Sequence, residues 1–343
     1  MVTAASVKDP TKTATAVITL QPITISALNP ATVSLNGGAA PQAFTGATLT
    51  YDGSNSGVTW SISPTTANGG GSIVSTSGAY TAPAVVAGTS PVTVTVTATS
   101  VKDNTKTATA TITLNPISVS LGSTTSATLD AGQSYSGIQA SIANDSSNSG
   151  ITFTVATGGG TFLSSGTSTL TVTGAGPIFS VGYNTPATVA SQTTTTITAA
   201  SVKDPTKTAA FTVTLNPARS WSTPSSSTAT LTGANTNTAY SYTLVAAGGT
   251  GTKSYTITTG TLPAGLTVNS SIGAITGSPT EGAGSSTFGV HVTDQSSHPS
   301  ILSGTFTIVV TATPLAWTTP AGVVSLPTAT VGMAITPYTL GPE

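Results

Sequence analysis

The sequence predicts an all-β protein made of β-sandwich domains in a linear tandem array. Three observations carry that expectation. A 17-residue segment, SVKDPTKTATAVITLQP at 6–22, returns as SVKDNTKTATATITLNP at 100–116 and as SVKDPTKTAAFTVTLNP at 201–217. The copies start 94 and then 101 residues apart, which means one domain per period. Around each copy, apolar and hydroxyl side chains alternate with period two, the pattern of half-buried strands. Between the strands lie Gly-, Pro- and Asn-rich turns, and short strands with frequent turn signals indicate sandwiches.

The repeated segment reads as the hairpin that closes a domain. In the second copy Val92, Val94, Val96 and Ala98 alternate with Thr93, Thr95, Thr97 and Thr99. Past the turn, Ala108, Ala110, Ile112 and Leu114 alternate with Thr107, Thr109, Thr111 and Thr113. The apolar set should face inward and the threonines outward. The corresponding inward set is Ala14, Ala16, Ile18 and Leu20 in the first copy, and Ala209, Phe211, Val213 and Leu215 in the third.

Asp9 suits the first position of a type I turn, and Pro10 fixes φ at the second. Asn104 stands in for that proline in the second copy. Six of the eight cations lie in these three turns: Lys8, Lys12, Lys102, Lys106, Lys203 and Lys207. They are expected to be solvated tips that keep sheet edges from pairing. Pro22, Pro116 and Pro217 end the copies, and proline closes a ladder because it has no N–H to donate. Each next domain then starts at once, which implies a semi-rigid string.

Residues 1–22 are on this reading the closing strands of a truncated domain. Residues 23–116 form the first whole domain, with strands at ITIS, ATVSL, AFTGATLTY, GVTWSIS, SIVST, VTVTVTATSV and the closing strand. Trp60 alternates with Val58 and Ile62 and should fill the core. Residues 117–217 repeat the plan. SNSGVTW at 54–60 returns as SNSGITF at 147–153, so Phe153 takes the place of Trp60. The triple glycine at 69–71 returns at 158–160, and an insertion falls at GAGPIFSVGYNTPATVASQ.

At residue 218 the style changes, and a third domain runs over 218–313. Trp221-Ser-Thr-Pro224 returns as Trp317-Thr-Thr-Pro320, and Tyr242-Thr-Leu244 as Tyr338-Thr-Leu340, both 96 residues on. Residues 314–343 are therefore the opening strands of a fourth domain.

GVTWSISP (57–64), AYTAP (79–83) and VTVTATSVKDNTKTATATITL (94–114) make the first two domains resemble bacterial Ig-like domains. GTLPAGLTVNSSIGAITGSPTE (260–281), followed by FGVHVTD (288–294), makes the third resemble the putative-Ig, cadherin-like domains of bacterial surface proteins. That motif is a Leu-Pro-x-Gly-Leu turn, a strand, and a Gly-x-Ile-x-Gly-x-Pro turn. The resemblances cover nearly the whole chain. They imply tandem Ig-like sandwiches in an extracellular stalk or adhesin, and they imply no catalytic residues.

Composition narrows the partners. Charged residues make up 5% and the net charge is −1, against a usual charged share of about 25%. There is no basic patch to hold nucleic acid or an anionic membrane. Nor does an apolar run approach the ~18 residues of a membrane span. The absence of cysteine removes disulfide and thiol chemistry. Lys8 and Lys12 come too early for a signal peptide, so the natural N-terminus is expected to lie outside this sequence. Residues 1–22 and 314–343 together make about half of one period. They also come from different domain types, which counts against one completing the other across copies.

The search for chemistry returns no catalytic, cofactor-binding or metal-ligating residue. His291 lies between Val290 and Val292 and should point to the opposite, outer face. His298 precedes Pro299 in a loop, and no Gly-x-Ser-x-Gly elbow presents a nucleophile. GGTGTKS at 248–254 has Thr252 where a phosphate loop needs glycine, and it leads into a strand. Calcium needs six to eight oxygens from clustered carboxylates, and the nine acids are dispersed. The Asp52–Gly57 and Asp145–Gly150 loops read as Asx turns. Asp294 sits where cadherin-like domains carry an acid, but without its usual acidic companions in sequence.

The function expected is structural: a bacterial surface stalk or filament, extracellular, with self-association or neighbouring copies in a fibre as partners. Two alternatives are an adhesin taking a glycan or protein surface ligand, and accessory repeats of a secreted enzyme. No cofactor, nucleic acid or membrane span is expected, and the chain itself is not expected to be an enzyme.

Overall fold

The computed structural model describes residues 1–174, 176–295 and 300–313. The expected opening strands at 314–343 lie outside these residues, as does His298. The chain forms two compact units. One holds Met1–Ser222, Ala246–Ser254 and Val292–Leu302; the other holds Thr223–Val245, Tyr255–His291 and the described residues from Ser303 on. Apart from a 3-10 turn at Thr66–Asn68, the regular elements among the described residues are strands.

In the first unit, the hairpin Val92–Ser100 with Thr107–Asn115 pairs in one register from Val92↔Leu114 to Thr99↔Thr107. Period two then sends every valine and alanine inward. Val94, Val96, Ala98, Ala110, Ile112 and Leu114 are buried, while each threonine faces another threonine across the ladder on the wet side. Two strands complete this sheet. Val58–Ser63 runs antiparallel to Val92–Ser100, and Thr32–Asn36 runs parallel to Thr107–Asn115. Trp60 lies opposite Ala98 and is buried in the core with Phe44, Tyr80 and Leu114. The expected AFTGATLTY strand is broken into Thr45–Gly46 and Leu49–Thr50. At Gly46 φ is +91°, and a Cβ there would lie 2.2 Å from the Ala27 carbonyl oxygen, so the chain bends at that point.

The second core follows the same plan. Thr193–Ser201 and Thr208–Asn216 form the hairpin, Ile151–Val155 flanks one side, and Ser126–Asp130 pairs parallel on the other. Phe153 faces Ala199 as Trp60 faces Ala98, and it is fully buried. The insertion supplies the strand Ile178–Asn184, which pairs with Ser134–Ala143. The first core has only Tyr80–Thr81 in the corresponding stretch. The extra residues thus give the second core a longer opposing sheet, with Phe179 and Val181 added to it, while Tyr183 takes the place of Tyr80.

The first copy of the repeat departs from expectation. Val2–Ala5 and Thr13–Ala16 form a two-stranded hairpin, and every residue in it is exposed. Ile18 and Leu20, assigned inward by period two, are 59% and 86% exposed. The alternation is the same as in the other copies, but no flanking strand or opposing sheet covers this one among the described residues. A lone hairpin of this kind is marginal in water.

The strands Thr228–Thr230, Leu302–Thr311, Gly284–Thr293 and Ser254–Gly260, most of whose residues belong to the second unit, make one sheet. Tyr240–Thr243, Ala274–Gly277 and Leu266–Val268 make another. Phe288 and Phe306 are buried, with ring centroids 6.2 Å apart. The Leu-Pro-x-Gly-Leu turn forms as expected, with Leu266 N–H donating to the Pro263 carbonyl and φ of +89° at Gly265. The Gly-x-Ile-x-Gly stretch is instead the strand Ala274–Gly277, because Ile275 is drawn fully into the core.

Candidate functional site

The densest polar constellation in the first unit surrounds Arg219, the chain's one arginine. Backbone register explains how it assembles. Asp130 and Asn216 end two parallel strands and lie opposite each other. Arg219 follows three residues after Asn216, while Asp294 follows the strand Gly284–Thr293. Arg219 Nε donates to Asp130 Oδ2 at 2.9 Å, and its Nη1 lies 3.6 Å from Asp294 Oδ1. The side chains of Arg219, Asp130 and Asp294 are 2%, 3% and 0% exposed.

The surroundings satisfy most of the remaining groups. Arg219 Nη2 donates to Ser300 Oγ, whose hydroxyl donates in turn to Asp130 Oδ2 at 2.9 Å. Arg219 Nη1 also donates to the Val292 carbonyl at 3.4 Å. Asp294 Oδ2 accepts the Thr250 N–H at 2.7 Å, and Asn216 Nδ2 donates to Thr250 Oγ1 at 2.5 Å. Gln192 Nε2 holds Asn216 through its Oδ1 at 2.8 Å. Asp130 Oδ1 alone has no partner among the described residues. Such an arrangement can fix geometry, because a buried guanidinium between two carboxylates admits few alternatives.

Sequence reasoning reached Asp294 and missed its companions. A signal was present. The first core ends its parallel strand with Asn36 opposite Asn115, and those amides bond to each other at 3.3 Å. The second core has Asp130 at that place, the carboxylate that a cation two residues beyond Pro217 requires.

A second contact lies where the two cores of this unit meet. Lys207 Nζ donates to the Gly88 carbonyl, and its side chain is 11% exposed. Ser146 Oγ donates to the Gly37 carbonyl at 2.6 Å. The expectation that all six turn lysines are solvated tips is corrected at Lys106, Lys203 and Lys207, which are half-buried, and Lys207 is covered by the neighbouring core. Lys8, Lys12 and Lys102 are exposed. The turns form as expected: Asp9, Asp103 and Asp204 each accept from the Thr two residues on, and each carbonyl accepts the following lysine's N–H. At Asp103 the Thr105 hydroxyl, followed by the Thr105 N–H, holds the carboxyl below its usual range.

The other candidates sit as follows. His291 is half-buried between the buried Val290 and Val292. GGTGTKS is a glycine turn leading into the strand Ser254–Gly260, whose Tyr255 is buried. Asp52 accepts the Ser54 and Ser56 N–H groups, and Asp145 accepts those of Ser147 and Ser149, as Asx turns do. Among the described residues, no three His, Asp or Glu gather as metal ligands, and no helix is long and apolar enough to cross a membrane.

Residues 223–313 match the model of a family described as Putative Ig domain. No curated protein matches the chain. Among solved structures it is similar to mouse cadherin-23 EC22-24, at 14% identity over 84% of this chain and 100% of that one, with a TM-score of 0.26. It is also similar to the protocadherin gamma B4 extracellular domain, at 13% identity and a TM-score of 0.25, covering 84% of this chain and 49% of that one. A third is an endo-fucoidan hydrolase of glycoside hydrolase family 107, at 16% identity, 84% and 45% coverage and a TM-score of 0.24. The chain thus spans about half the length of two of these three. Likeness at this level concerns strand architecture and does not reach activity. Repeated domains of this kind fit a structural or adhesive role. The chain is an all-β array of tandem Ig-like sandwiches, and its residues 223–313 match the Putative Ig domain family.

Proposed function

We propose that this chain is a structural segment of a bacterial extracellular stalk or filament, with domains at 23–116, 117–217 and 218–313. The observation that carries the reading is the Arg219 network. Asp130 and Asn216 end the second core, and Arg219 and Asp294 lie past residue 217, where the sequence style changes. A buried ion network at that position supports an ordered segment built to hold its geometry, as a scaffold needs. The near absence of charge elsewhere suits side-by-side packing with neighbouring copies.

Electron microscopy of the purified chain tests this. Filaments with a repeat of domain size are expected, and separate single particles at every concentration would overturn the reading.

A further inference from the structure

The turn that carries Lys207 has a twin whose surroundings differ. SVKDPTK at 201–207 and SVKDNTK at 100–106 fold alike, with Ser201 and Ser100 Oγ accepting the Asp204 and Asp103 N–H groups. Both turns are braced by an Asx loop. Val202 N–H donates to the Gly150 carbonyl at 3.1 Å, and Val101 N–H to the Gly57 carbonyl at 3.0 Å. Each tip is therefore a prebuilt, rigid surface of one valine, two lysines and a serine-rich loop. The tip on the second core is seated on the first core through Lys207–Gly88 and Ser146–Gly37. Burial is deepest at the seated tip. Val202 is 40% exposed against 56% at Val101, and Asp204 is buried where Asp103 is half-buried, while Lys106 and Lys207 are both half-buried.

We propose that the tip of the first core, formed by Val101, Lys102, Lys106 and the Asp52–Gly57 loop, is a docking face for the glycine-turn end of another sandwich of the same type. The proposal rests on the structural reading above and supplies its partner. The chemistry of the occupant is set by what the twin holds: outward backbone carbonyls on glycine turns, as at Gly37 and Gly88, with no charged side chain in the way. A lysine ammonium suits such a carbonyl because the bond is charge-assisted and the long stem reaches across a joint. A valine beside it supplies apolar contact. Gly53 stands where the second core has Ser146, so the hydroxyl contact is lost and Lys106 carries the recognition.

The test reads lysine accessibility by acylation and mass spectrometry. In the unaltered chain Lys207 should react about tenfold more slowly than Lys106, in line with a charge-assisted bond held in the folded state. A second chain duplicates residues 23–116 in tandem, so that Pro116 is followed by a second Ile23 much as it is now followed by Ile117. The second copy is marked by Asn104→Pro, the residue the other two turns carry. Lys106 of the marked copy should fall to the Lys207 rate, while that of the unmarked copy stays fast. Equal, fast labelling of both Lys106 residues beside a protected Lys207 overturns the docking face. A fast Lys207 in the unaltered chain overturns the clasp itself. Filaments in micrographs together with an unprotected Lys106 would sink this inference alone and leave the structural reading standing.

Discussion

Arg219 and Asp130 form an ion pair at 2.9 Å with both side chains almost shut off from solvent. Removing the cation leaves the Asp130 and Asp294 carboxylates buried without the guanidinium's opposite charge. Arg219→Ala is expected to lower stability by about 3–5 kcal/mol, the range for breaking a buried pair from one side. Arg219→Lys should recover only part, since an ammonium cannot reach Asp130, Asp294 and Ser300 with one planar fork. Urea unfolding followed by tryptophan fluorescence checks both.

Metal should not matter to this network. The guanidinium already supplies the positive charge between the two carboxylates. Thermal unfolding in millimolar calcium and in excess chelator is expected to give one and the same midpoint; a clear calcium-dependent rise would show a site that the Arg219 network does not account for.

Gly78 packs its backbone on the Trp60 ring. A Cβ there would lie 2.6 Å from the ring, at φ of +71°. Gly78→Ala combines overpacking with left-handed strain and should cost about 1–3 kcal/mol. Gly88→Ala has the same sign of φ but open space around the Cβ, so it isolates the strain. Comparing the two by denaturant midpoint separates the contributions.

Burial pushes the hydroxyls of Tyr80 and Tyr183 up to about 12. Their unfolded value is 10.0, so the unfolded chain releases these protons first as pH rises. The stability they contribute is intact below pH 10, and it is lost between there and about 12. Tyr80→Phe and Tyr183→Phe should shift alkaline unfolding to higher pH. At neutral pH Tyr80→Phe should cost about 1 kcal/mol, because Tyr80 donates to the Gly70 carbonyl at 2.8 Å.

Phe153 is fully buried among Ile151, Phe162, Ile197 and Phe211, with the Phe162 ring edge-on at 6.3 Å. Phe153→Ala should cost about 3–5 kcal/mol. Calorimetry should show the loss in the transition of the second core first.

Much of this architecture was legible because a strand's period fixes faces locally. Val94, Ile112, Phe211 and Val213 could be placed inward from two neighbours each. Burial itself was not local. Ile18 and Leu20 carry the same alternation as Ile112 and Leu114, yet they are exposed, because strands from elsewhere in the chain decide whether a face is covered. The Arg219 network lay beyond reach for a similar reason. Its first pair is separated by 89 residues, and only the parallel register of Asp130 with Asn216 brings the two together. Ile275 shows a third limit, where a glycine-flanked motif reads as a turn until the core claims its one large side chain.

The parallel pairing of an early strand with the last strand recurs as Thr32–Asn36 on Thr107–Asn115, Ser126–Asp130 on Thr208–Asn216, and Thr228–Thr230 on Leu302–Thr311. Parallel strands place the entry of one and the exit of the other at opposite ends. Tension applied along the chain then pulls the two strands past each other, and every registered bond between them carries load at once. An antiparallel closure would unzip one bond at a time. Each core is therefore latched in shear, and in a tethered string under drag the force to open it is set by a whole ladder rather than by its weakest rung.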